Sequence, residues 1–194
     1  MPPDTSLAVL PRVRLRRLDD GDADFLYAMY SHPEAARYLA RPPMTERADA
    51  EEMLARIKAG YADGTSLQLA VERNADGAFL GVCLLFNIVE RSRRAEIGYI
   101  LAREHWSRGY MAEALPALVA HAFETMGLNR LEADVDPRNT ASARVLARLG
   151  FRQEGLLRER WIVRGETSDS AIYGLLRGEW LRAPSGTSFP PPSA

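Results

Sequence analysis

The sequence holds little of what most often declares a function. Cys83 is the only cysteine among 194 residues. No intramolecular disulfide and no cysteine metal cluster can form, and a reducing cytosol is the expected setting. The three histidines, His32, His105 and His121, are not spaced as metal ligands, so no metal is expected. No apolar run approaches the roughly 18 residues of a membrane span. Met1-Pro2-Pro3-Asp4 lacks a basic region followed by a long apolar stretch, which makes a soluble, cytoplasmic protein with no membrane partner the expectation. Charge of one sign is also missing: 25 basic residues face 26 acidic ones, a net charge of −1. Bulk attraction to nucleic acid or anionic lipid is thereby excluded. There is no internal repeat.

What is present is enough chain for one domain with a sizeable core. Residues 1–11, with three prolines, read as a loose N-terminal arm, and residues 183–194, with four prolines and three serines, as a disordered tail. Between them a domain is expected over 12–182. A strand is expected over Val13–Leu18. Phe25, Leu26, Met29 and Tyr30 then make a helical face, followed by a short helix from Glu34 to Leu39 and a third from Thr45 to about Asp63. From Leu67 the period becomes that of strands: Leu67–Glu72, a turn at Asn74–Gly77, Phe79–Asn87 and Ala95–Leu101. A helix from about Arg108 to Met126 carries Pro116, which predicts a kink or widened turn near its first turns. Arg130–Val135 is a further strand and Thr140–Leu149 a helix stopped by Gly150. Phe151–Glu154, Arg158–Val163 and Ser168–Leu176 complete the strands. The fold class is α/β around one central sheet.

The stretch that organises the chain is His105-Trp106-Ser107-Arg108-Gly109-Tyr110-Met111-Ala112. It follows a strand and opens a helix, and Gly109 permits a turn in which successive backbone N–H groups face one anion.

These residues resemble the GNAT superfamily of acetyl-CoA-dependent N-acetyltransferases, at whose signature [Gln/Arg]-x-x-Gly-x-[Gly/Ala] the six positions here read Trp106-Ser107-Arg108-Gly109-Tyr110-Met111. Met111 stands where Gly or Ala is usual. The leading Trp and Glu113-Ala114-Leu115 resemble the Rim-type branch, which acetylates ribosomal-protein N-termini. A second motif, Asn139-x-x-Ser142 with Gly150-Phe151, is similar to the family's pattern on the next helix. The resemblance implies a mixed, mostly antiparallel sheet of about seven strands. Its fourth strand (Ala95–Leu101) and fifth (Arg130–Val135) splay apart to admit the pantetheine arm of acetyl-CoA, with residues 31–64 forming part of the acceptor wall. It also implies cofactor contacts at Ile100, Leu101, Trp106, Ser107, Arg108, Gly109, Tyr110, Met111, Ala112, Asn139 and Ser142.

Acetyl transfer to an amine needs a neutral amine, a polarised carbonyl and a proton or hydrogen bond for the departing thiolate. A backbone N–H near Ile100 or Leu101 could polarise the carbonyl. Glu96 is the candidate base; its plain alternative is an ion pair with an arginine. The family's usual tyrosine, seven residues after the Asn, is here Leu146, so Ser142 is the candidate acid. Asn139 orients cofactor or strand, or simply caps its helix. His105 abuts the loop, and Tyr99 and Trp106 read first as packing residues. The acceptor expected is a protein or peptide α-amino group. A polyamine or amine antibiotic, or a non-catalytic acyl-CoA-binding module, are the alternatives. A homodimer through the last strands is compatible with the pattern.

Overall fold

The computed structural model describes residues 6–182; the proline- and serine-rich stretch 183–194 and residues 1–5 lie outside them. One sheet of eight strands runs in the order β1-β2-β3-β4-β5-β6-β8-β7. The strands are β1 Ser6–Val9, β2 Val13–Arg17, β3 Leu67–Arg73, β4 Phe79–Val89, β5 Arg94–Leu101, β6 Arg130–Val135, β7 Arg152–Val163 and β8 Glu166–Leu176. Among the described residues only β5 and β6 pair in parallel. The loose arm is therefore corrected in part. Ser6–Val9 pairs antiparallel with β2, adding an eighth strand and making the expected fourth and fifth strands β5 and β6.

Helices cover both faces. On one, α1 (Ala23–Ser31) and α2 (Arg47–Asp63) bury Leu26, Met29, Leu54 and Ile57 with Ala70, Val82 and Ile100 of the sheet. On the other, α3 (Tyr110–Ala120) and α4 (Thr140–Arg148) bury Met111, Leu115, Leu118 and Leu146 with Leu69, Cys83, Leu85 and Ile97. Strand side chains alternate between faces, so adjacent β5 residues serve two different cores. A four-residue helix, α5 (Arg177–Trp180), follows β8.

Three expectations fail for physical reasons. Residues 34–39 form turns rather than a helix. His32 Nδ1 accepts from the Glu34 N–H at 3.3 Å, and the backbone closes by short-range bonds such as Leu39 N–H to Ala36 O, 3.1 Å. The widened turn weighed for Pro116 is not there, α3 being α-helical through it; the widening comes later, at His121–Thr125, where the Met126 N–H reaches back five residues to His121 O at 3.0 Å. Arg152–Val163 is one strand, not two; the irregularity near its middle is a register shift between Leu157 and Trp161, with Glu159 at φ 51°.

Candidate active site

The parallel pairing of β5 with β6 covers only Arg94↔Arg130, Ala95↔Leu131 and Glu96↔Glu132. Beyond that row the strands part, leaving a seam that opens toward the ends of both strands. The direction of the backbone groups on β5 follows from its other neighbour. The Ala102 N–H donates to Leu80 O at 2.9 Å, and Gly81 faces Leu101 in register. Hydrogen-bonded and non-bonded pairs alternate along an antiparallel ladder. Ile100 and Gly98 therefore spend their backbone groups on β4, while Ile97, Tyr99 and Leu101 turn theirs into the seam. The expectation placed on Ile100 moves to its odd-numbered neighbours. One of those groups is already used: the Trp106 indole N–H donates to Leu101 O at 2.9 Å. Trp106, with Arg103 stacked 4.7 Å from its ring, thus ties the loop to the strand end.

The loop itself is shaped for an anion. Ser107 (φ 60°) and Gly109 (φ 78°) are left-handed on either side of Arg108, a pattern that turns successive N–H groups to one side. Gly109 is the N-cap of α3, whose first turn leaves N–H groups of Tyr110, Met111 and Ala112 without helical acceptors and carries the positive end of the dipole. Met111 does not obstruct the loop, because its side chain is buried in the core beneath. Tyr110 also points away, its ring under the Arg12 guanidinium at 5.2 Å.

Arg12, invisible to sequence reasoning because its partners lie about a hundred residues on, holds the loop from behind. Its backbone N–H and Nε donate to the Glu113 carboxylate at 2.7 and 2.6 Å, and Nη1 donates to Arg108 O at 3.1 Å. His105 lies edge-on to Tyr110 at 6.4 Å. Burial, more than any neighbouring charge, holds its imidazole below the ordinary value.

At the closed end of the seam Glu96 and Glu132 share a row, yet they differ. Glu132 is ion-paired to Arg94 and Arg130, each at 2.8 Å. Glu96 accepts a single bond from the Asn87 amide, 2.9 Å, in place of the arginine partner considered as its plain reading. Continuing the register, Asp134 stands opposite Gly98 across the seam. It is held by Arg160 Nε at 2.9 Å and by the Ser170 hydroxyl, with the Trp161 indole N–H 3.3 Å away. Asp134, Arg160 and Trp161 were not singled out by the sequence, which shows only a charged strand and an irregular hairpin.

On the opposite side of the seam, Asn139 takes the plain role weighed for it. Its Oδ1 caps α4 by accepting the Ser142 N–H at 3.1 Å. Ser142, in that first turn, has its Oγ 2.7 Å from the hydroxyl of Tyr99. Glu96 and Tyr99 differ in parity along β5, so the carboxylate and the Tyr99–Ser142 pair flank the seam from opposite faces. Cys83 is fully buried, and burial pushes its thiol up to about 12, which leaves it no nucleophilic role. Among the described residues no three His, Cys, Asp or Glu side chains group as a metal site. No described helix is long and apolar enough to cross a membrane.

An anion loop at a helix start, a splayed strand pair and a capped second helix make one constellation, and residues 12–152 match the model of the acetyltransferase (GNAT) domain. The chain belongs to the GNAT acetyltransferase family. It is 34% identical to the uncharacterized N-acetyltransferase p20 of Bacillus licheniformis over 87% of this chain and 95% of that one. It is 27% identical to the [ribosomal protein uS5]-alanine N-acetyltransferase of Escherichia coli over 66% of each. Among solved structures it resembles Mycobacterium smegmatis RimJ in complex with CoA-disulfide, with TM-score 0.79 and 29% identity over 91% of this chain and 89% of that one. The fold alone is shared with the spermidine N-acetyltransferase of Vibrio cholerae in complex with CoA and spermine, at 22% identity and TM-score 0.79 over 87% and 98%. The chain is accordingly an acetyltransferase of mixed α/β fold, and GNAT proteins of this shape bind CoA.

Proposed function

We propose that this acetyltransferase moves the acetyl group of acetyl-CoA directly to a primary amine in a ternary complex, and that the amine is the α-amino group of a protein or peptide. The observation that carries the reading is the seam beyond the Glu96–Glu132 row, with an anion loop at its open end. The N–H groups of Ser107 to Ala112 would take the pyrophosphate. Backbone groups of Ile97, Tyr99 and Leu101 would meet the pantetheine arm and polarise the carbonyl, since amides fixed in advance stabilise developing charge without reorganising. Acetyl-CoA supplies the activated acyl group; everything else falls to the chain. Glu96, with one weak amide partner, takes the amine proton directly or through water. Ser142, on the opposite face, offers its hydroxyl to the sulfur.

Support for a peptide acceptor comes from the named activity of the Escherichia coli relative. Thiol release from acetyl-CoA, measured with N-terminal peptides, a polyamine and an aminoglycoside, tests this. Peptides are expected to be turned over fastest, and Glu96→Gln to lower kcat by at least about tenfold with acetyl-CoA affinity unchanged. A preference for the polyamine or aminoglycoside would move the assignment to small amines. No thiol release with any amine, despite cofactor binding, would make the chain a binding module.

A further inference from the structure

Tyr99 carries a hydroxyl that packing does not require. Its ring lies against the α3/α4 core, where a phenylalanine would serve as well. Its oxygen is 2.7 Å from Ser142 Oγ and 3.2 Å from the Ser142 carbonyl oxygen, so the phenol reaches from β5 to the first turn of α4 beneath the seam. Burial pushes this phenol up to about 12, and it stays protonated at any pH near neutrality.

Two arrangements of protons are open to the pair. In one, Tyr99 donates to the carbonyl and the Ser142 hydroxyl donates to Tyr99, which consumes the serine proton. In the other, Tyr99 donates to Ser142 Oγ, and the serine proton is released toward the seam. Negative charge building on a sulfur there favours the second, because a hydroxyl that accepts one hydrogen bond is a stronger donor in the next.

We propose that Tyr99 is a positioning residue for acetyl transfer, donating to Ser142 Oγ so that the serine's own proton is aimed at the leaving sulfur. This rests on the role given to Ser142 above. In the transfer the carbon–nitrogen bond forms, the carbon–sulfur bond breaks and its electron pair goes to sulfur. The nitrogen loses one proton to Glu96 or water, and the thiolate later gains one from solvent. Neither Tyr99 nor Ser142 gives up its proton: a cysteine thiol has a pKa of about 8.5 and alkyl thiols in general are stronger acids than either hydroxyl here, so both act as hydrogen-bond donors rather than acids. The same bond pins the start of α4 to β5 and so fixes the serine oxygen relative to the strand whose amides face the seam.

A four-enzyme cycle in the full chain tests the proposal: wild type, Ser142→Ala, Tyr99→Phe and the double variant, each with acetyl-CoA and the best amine. Ser142→Ala is expected to lower kcat roughly tenfold, and Tyr99→Phe about three- to tenfold, with KM for acetyl-CoA moved by less than about twofold. In the Ser142→Ala background Tyr99→Phe is expected to cost less than about twofold, since a residue acting only through its neighbour shows its effect as coupling. Equal slowing by Tyr99→Phe in both backgrounds, or a wild-type rate for the single variant, overturns it. A wild-type rate for Ser142→Ala overturns it as well, and that edge of the cycle separately identifies loss of the serine role.

Discussion

His105 shows what one side chain beside the anion loop does to the molecule. It is buried enough that Nδ1 has no hydrogen-bond partner among the described residues. Loss of solvation depresses its pKa below 6.5, an effect only partly offset by Glu104 and reinforced by Arg73 and Arg108. The unfolded chain therefore binds this proton more readily than the folded one. Where the unfolded state holds more protons, stability rises with pH. His105 accordingly contributes stability that is present above about pH 6.5 and is lost as pH falls from there through the folded value, levelling off below it. Denaturant unfolding at pH 7.5 and 5.5 is expected to show the wild type weaker at the lower pH, and His105→Gln with a smaller difference between the two. His121, depressed in the same direction by burial, leaves a residual slope in the variant. An unchanged difference would mean that His105 titrates as in solvent.

At this scale the sequence was informative where backbone geometry has a residue signature. Gly109 sits at positive φ as the motif requires. It was silent where the partner is remote, as with Arg12 and Glu113, and where only parity along a strand decides which amides are free, as with Ile100 against Leu101.

Among the elements, β5 carries most of the site, and its path depends on its neighbour. A Cβ added at Gly81 would fall within clash distance of the Ile100 carbonyl oxygen and 2.9 Å from Leu101 Cα. The absence of a side chain there lets β5 approach β4 closely just before the anion loop. Gly81→Ala must push β5 toward the seam. It is expected to cost about 1–3 kcal/mol of stability, as overpacking does, and to raise KM for acetyl-CoA several-fold, because the shifted strand carries the seam-facing amides of Tyr99 and Leu101. Unfolding curves and steady-state kinetics on the same preparation check both; a destabilised variant with unaltered KM would detach the strand's path from cofactor binding. Elements with a clean period were legible: α2, β3, β5 and α4 lie within a few residues of where apolar spacing puts them. β1 was not, since the prolines around it suggest loop, and its pairing with β2 is a tertiary fact. The turns after α1 have helical composition, but the His32 ring competes for the backbone N–H groups. The hairpin strand β7 is mostly exposed, so it has no buried face to print an alternation on the sequence.

On the proposed reading, the whole molecule divides tasks between the two faces of one sheet. Helices α1 and α2 stand on one face, the proposed amine side; α3 and α4 stand on the other, with the Gly109 turn and Ser142. The parallel pair of the described residues, β5 with β6, is where the division opens. The general shape was readable from the two motifs because their spacing fits one family. The proposed acceptor side was not, since the turns after α1 and the irregular β7–β8 hairpin lack a clean period and their contacts join distant segments, such as Glu34 with Arg103 and Glu166 with Arg138.

The central claim is that the turn at Gly109 holds the cofactor's phosphates, and calorimetric titration of acetyl-CoA into wild type and Gly109→Asp addresses it most directly. The substitution puts an L side chain at φ 78°, which costs about 1–2 kcal/mol, and its Cβ would meet Arg12 Nη2 at 3.5 Å, drawing a carboxylate to the guanidinium that holds the loop and displacing the turn, where hydrogen bonds to a charged group are each worth about 1.5–3 kcal/mol. With folding verified by its unfolding transition, Gly109→Asp is expected to bind acetyl-CoA at least about tenfold more weakly than wild type. Equal affinity in the folded variant would contradict the account and place the pyrophosphate elsewhere on the molecule.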